Sequence, residues 1–154
     1  MKFWFRSVIT LVLMAWIWSS SSGSALAKDV FFGTPPVEAH VNLGNSANAL
    51  VFEPENLEFV AGKRYRLVLE NPSSLKHYFT AKDFADGIWT QKIEAGNVEV
   101  KGAIHEVELK PGAFAEWFFV PIKSGTYELH CSIPGHAEAG MVGTVKIVTP
   151  KQAA

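Results

Sequence analysis

From Leu50 to Val148 the chain is a series of short runs in which apolar residues recur at every second position, separated by clusters of turn residues. A period of two puts one face of a strand into a core and the other into water. The pattern predicts strands over 50–54, 57–60, 65–70, 98–100, 104–109, 114–120, 126–131 and 142–148. In the run at 65–70, Tyr65, Leu67 and Leu69 alternate with Arg66, Val68 and Glu70, and the run stops at Asn71-Pro72. Ala61-Gly62-Lys63, Lys110-Pro111-Gly112 and Lys123-Ser124-Gly125 punctuate the others as turns. No long helical period occurs, and a short helix is expected only over 80–88, in the 80–102 region. Many short strands at this spacing predict an all-β antiparallel sandwich or barrel. Residues 37–49, rich in Asn, Ser and Gly, give a mixed signal and are read as partly loop.

The first 27 residues follow a different rule. Lys2 and Arg6 precede an apolar run from Val8 to Trp18, a polar break at residues 19–24, and Ala25-Leu26-Ala27. This is the layout of a cleaved secretory signal, because the apolar run is too short to span a bilayer and small residues mark the cleavage point. Cleavage leaves a single domain over 28–154. Without Lys2 and Arg6 the mature chain keeps its 15 acidic residues against fewer basic ones, for a net charge of about −3. Such a balance excludes a general nucleic-acid binder.

Export changes the meaning of the one cysteine. Cys131 has no partner for an internal disulfide, so it is a free thiol in an oxidising compartment. Burial, designed reactivity or a metal must account for it. Signal cleavage also leaves Met141 as the mature chain's one methionine. The two sulfurs sit ten positions apart in Cys131-Ser132-Ile133-Pro134-Gly135-His136-Ala137-Glu138-Ala139-Gly140-Met141, between two predicted strands. Thiolate, imidazole and thioether on one loop form a soft and compact donor set, and Pro134-Gly135 turns the chain so that they converge. His77, after a strand and the Asn71-Pro72-Ser73-Ser74 turn, is the natural fourth donor. Two imidazoles and a thiolate with a weak axial thioether are the ligands of an electron-transfer copper.

These residues resemble the cupredoxin family over about 52–148. Phe52 to Gly62 is similar to its opening strands, Asn71 to His77 to its first-ligand segment, and the Cys–His–Met loop spacing to that of the rusticyanin and auracyanin groups. The resemblance implies a Greek-key β-sandwich with one type 1 copper buried at one end, held by His77, Cys131, His136 and Met141. It further implies an electron carrier that meets cytochromes or oxidases transiently, as a monomer, in a periplasm or a thylakoid lumen. Two features depart from the pattern. Many relatives carry asparagine after the first histidine, where its amide ties the ligand loops together, and this chain has Tyr78. Residues 81–102 match no part of the family's pattern.

Other chemistries fit less well. Zinc accepts cysteine and histidine, but thioether is a poor fourth ligand for it. A thiol nucleophile at Cys131 needs a base, and strand alternation sends His130 to the opposite face. His130-Cys131 also resembles the dipeptide linking two copper sites in copper nitrite reductases, yet Tyr78-Phe79-Thr80-Ala81-Lys82 lacks the extra histidines. His40 and His105 sit in no motif with ligand spacing and read as ordinary surface or strand residues. A periplasmic copper chaperone or store shares the same ligands and is the alternative to an electron carrier.

Overall fold

The computed structural model describes residues 33–153. The segment read as a secretory signal lies outside them. From Val37 onward the described residues form eleven strands and one short helix, in order: β1 (Val37–Leu43), β2 (Phe52–Glu53), β3 (Asn56–Val60), β4 (Tyr65–Glu70), β5 (His77–Thr80), α1 (Lys82–Ala85), β6 (Ile88–Ala95), β7 (Val98–Val100), β8 (Glu106–Leu109), β9 (Phe114–Pro121), β10 (Gly125–His130) and β11 (Val142–Val148). They form two sheets, ordered β2-β1-β4-β9-β6-β7 and β3-β11-β10-β5-β8. The expected all-β sandwich is therefore present. Pairing is antiparallel except where β1 meets β4 and β3 meets β11.

Alternation in the sequence becomes burial in the sandwich. Along β3 Leu57 and Phe59 are buried between exposed neighbours, and along β11 Val145 and Ile147 alternate with exposed Thr144 and Lys146. The inward residues interdigitate through edge-to-face aromatic contacts, with Phe59 and Phe119 rings 5.1 Å apart and Phe84 and Phe119 5.5 Å apart. This geometry adds to the area each ring removes from water.

Two segments differ from the sequence reading. Residues 37–43 are a full strand, β1, paired in parallel with β4 from Val37 opposite Tyr65 to Asn42 opposite Glu70. Only Val41 and Leu43 of its apolar positions are fully buried, which is why the run looked loop-like beside the polar stretch that follows it. The second segment, 81–102, holds the expected short helix as α1 and the expected strand at 98–100 as β7, and the difference is β6, which pairs with β7 as a hairpin. A bulge between Thr90 and Lys92, where β6 pairs with β9, places Gln91 out of step. One extra residue inverts the inside–outside order, so no period of two runs through β6. The short helix carries Phe84, fully buried against Phe59, Trp117, Phe119 and Tyr127. Truncating a buried phenylalanine of this kind costs about 3–5 kcal/mol.

Candidate metal centre

Three connections at one end of the sandwich approach each other: the β1–β2 loop, the β4–β5 loop and the β10–β11 loop. Asn71, buried at the end of β4, shapes the second of them. Its amide donates to the Leu75 carbonyl at 2.8 Å and the Leu109 carbonyl at 2.9 Å, and its side-chain oxygen accepts from the Ser73 N–H at 3.0 Å. Asn48, in the first loop, accepts from the Ser73 hydroxyl, the Ser74 N–H and the Ser74 hydroxyl. Asparagine is suited to this because its side chain mimics a backbone turn. The loop so fixed delivers His77 to the first position of β5.

The β10–β11 loop is built from its own turns. His136 N–H donates to the Ile133 carbonyl at 3.0 Å and Met141 N–H to the His136 carbonyl at 2.9 Å, while Cys131 N–H donates to the Met141 carbonyl at 3.1 Å. Gly135 supports the reversal with φ +86°. Cys131, His136 and Met141 are thereby tied through the backbone before any ion is considered.

The four residues expected as ligands lie at this end. His77 and Met141 are 0% exposed and Cys131 is 1% exposed, while His136 is half-buried. One possible donor atom each from His77, Cys131 and His136 lies within 4.8 Å of the others. Cys131 Sγ is 3.5 Å from His136 Nδ1 and accepts from the Tyr78 N–H at 3.4 Å. The two imidazole ring centres are 5.2 Å apart.

His77 tests whether this place is made for a metal. Both of its ring nitrogens are buried without a hydrogen-bond partner among the described residues. Leaving a buried polar group unpaired costs about 1–3 kcal/mol. A bound ion removes that cost at the one nitrogen that ligates it. Burial, and secondarily the proximity of His136, pushes the His77 pKa below its ordinary value, so the ring stays neutral and keeps a lone pair to offer. With Cys131 beside two imidazoles and Met141 buried in the same loop, the donor set suits copper.

The other histidines are elsewhere. His40 pairs with Glu38 and His105 with Asp86, each at 2.7 Å. His130 points to the opposite side from Leu129, its Nδ1 3.0 Å from Glu128 Oε1 but out of line for a hydrogen bond.

The model for copper-binding proteins of the plastocyanin/azurin family matches residues 39–148. The chain belongs to that family. This cupredoxin is 25% identical to the copper-resistant cuproprotein CopI of Pseudomonas aeruginosa, over 90% of the chain and 94% of the relative. It is 30% identical to the plastocyanin of Lactuca sativa, over 71% of the chain and 99% of the relative. Among solved structures, auracyanin from Roseiflexus castenholzii superposes with TM-score 0.53 at 16% identity, covering 75% of this cupredoxin and 99% of that chain. A copper nitrite reductase from Thermus scotoductus superposes with TM-score 0.57 at 18% identity, but this cupredoxin spans only 33% of it. The cofactor of this cupredoxin is one type 1 copper ion.

One contributor was missed in the sequence. Gly44, in the stretch read as partly loop, has φ +76°, and a Cβ there would fall 2.8 Å from His77 Nε2. It closes one side of the buried ring. A glycine ending a run of alternating apolar residues was the available signal.

Proposed function

We propose that this cupredoxin is an exported electron carrier with no catalytic activity of its own. In this reading His77, Cys131, His136 and Met141 would hold the copper, with the Met141 thioether the weakest of the four donors. Bound there, copper supplies a one-electron Cu(II)/Cu(I) couple. The observation that carries the reading is the burial of His77, Cys131 and Met141, with the two sulfur residues tied by backbone bonds within the β10–β11 loop and His77 set by the side-chain bonds of Asn48 and Asn71. Donors held this firmly move little when the charge at the site changes, and no open position is left for a substrate. Half-buried His136 is the route to the surface. Around it Pro134, Ala139 and Gly140 are exposed, and Glu138 is the loop's one charged residue. Such a small and weakly charged face suits brief docking of a cytochrome or an oxidase by a monomer.

Cleavage after Ala27 places the remaining single domain, 28–154, in a periplasm or a thylakoid lumen. The relatives differ in the use their names record, since one is a copper-resistant cuproprotein and another a plastocyanin. The similarity to CopI over nearly the whole chain favours a second reading, in which the protein sequesters or hands on copper.

Two measurements test these readings. The mature protein given Cu(II) should show an intense thiolate-to-copper charge-transfer band that Cys131→Ser abolishes; a band that survives this change refutes the ligand assignment. An electron carrier should keep its copper through many redox cycles beside a competing apo-acceptor. Prompt transfer of Cu(I) to that acceptor would overturn the carrier reading in favour of copper handling.

A further inference from the structure

The strand that begins at the first histidine and the strand that leads into the cysteine are joined by little backbone. β10 and β5 share one paired position, His130 opposite Thr80, whereas β5 and β8 share four, from His77 opposite Leu109 to Thr80 opposite Glu106. In this fold the residue after the first histidine is Tyr78, whose hydroxyl bonds Glu108 and so turns toward β8, away from the cysteine loop. A side chain other than Tyr78 bonds Ser132, the residue directly after Cys131.

Glu106 does so. Its Oε2 accepts from the Ser132 hydroxyl at 2.6 Å and from the Thr80 hydroxyl at 2.9 Å. One oxygen thus reaches across β5 from β8 and fastens the cysteine loop to the strand that begins at His77. Hydrogen bonds to an ionised acceptor are shorter and stronger than neutral ones. The geometry points to Glu106 as a positioning residue for the copper site, acting on Cys131 through Ser132 and on His77 through β5. This inference rests on the ligand assignment above and adds a residue outside it. The Tyr78 N–H donating to Cys131 Sγ depends on the same alignment, because it too bridges β5 and the cysteine. A loosened clasp lets that contact lengthen, which changes the electron density at the sulfur.

Glu108 provides the control. It lies two positions along the same strand and carries the same charge, but it bonds Tyr78 and pairs with Lys76 without touching the cysteine loop. Glu106→Ala, Glu106→Gln and Glu108→Ala are compared with wild type, each loaded with Cu(II), for the visible spectrum, the reduction potential and the rate of copper loss to a chelator. Partners that orient metal ligands typically alter affinity by roughly 10–100-fold. Glu106→Ala should lose copper about tenfold faster, at the lower end of that range because it acts through Ser132, with a displaced charge-transfer band. Glu106→Gln keeps an oxygen acceptor and should restore both, while Glu108→Ala should match wild type.

Should Glu106→Ala not fold, Ser132→Ala removes the bond from its other side and should give the same displacement. Wild-type behaviour in whichever of these variants folds, or equal effects of Glu106→Ala and Glu108→Ala, overturns the inference alone. A wild type without the band overturns the ligand assignment and this inference together.

Discussion

Alanine at position 44 places a methyl group where the fold has no room for one. The added carbon would lie 2.8 Å from His77 Nε2, 3.1 Å from His77 Cδ2 and 3.0 Å from the Ser73 Cβ. His77 is fully buried and Ser73 is held by Asn48 and Asn71, so neither neighbour can retreat cheaply. Two costs combine. The left-handed backbone at φ +76° costs an L-residue roughly 1–2 kcal/mol, and overfilling a packed region costs roughly 1–3 kcal/mol. Their total, about 2–5 kcal/mol, is a large part of the 5–15 kcal/mol that stabilises a typical domain. For a chain of this size it corresponds to a fall in melting temperature of roughly 10–20 °C. The steric part is separable, since Gly112 has φ +71° with nothing within 4 Å of its would-be Cβ. Gly112→Ala therefore reports the backbone cost alone. Thermal melts of the two metal-free variants should place Gly44→Ala lower by the contact term, and copper competition should show weaker binding in Gly44→Ala only. Equal melting temperatures with equal copper retention would refute the claim that Gly44 shapes the seat of His77.

Three other outcomes are expected. Met141→Gln should retain copper and lower the reduction potential on voltammetry, because an oxygen donor favours Cu(II) over Cu(I); loss of copper would contradict the role of a weak donor. Ala139→Glu should slow self-exchange and electron transfer to a partner in stopped flow while leaving the visible spectrum intact, whereas unchanged rates would show that electrons leave elsewhere. Glu38, held below its ordinary value first by its hydrogen bond with His40 and then by Arg66, should titrate by NMR below the usual carboxylate range. A depressed carboxyl stabilises the fold above its unfolded pKa and loses that contribution as pH falls through the folded one. His40→Ala should move the Glu38 midpoint upward, and an unmoved midpoint would refute the pairing.

Much of this protein was readable along the chain because the decisive signals are local. Alternation at residues 57–60, 65–70, 114–120 and 142–148 states which side of each strand faces inward, whatever the strand packs against. Cys131, His136 and Met141 lie within eleven positions, so their convergence depends mostly on the turn at Pro134-Gly135 and on backbone bonds within the loop. β6 escaped detection because the bulge at Gln91 inverts its alternation, and a bulge is visible only against the partner strand β9. β1 escaped because only Val41 and Leu43 of its apolar positions are fully buried and a polar stretch follows it.

His77 joins the loop through space alone, 54 positions before Cys131, and chemistry named it before any geometry placed it. What closes around that ring was decided by the tertiary structure. Gly44 backs His77 from a loop that carries no donor, and Glu106 reaches Ser132 from a strand with no motif of its own. Ligands announce themselves because only a few residue types bind a soft metal. Supporting residues do not, since a glycine or a glutamate acquires its role from what the sandwich folds against it.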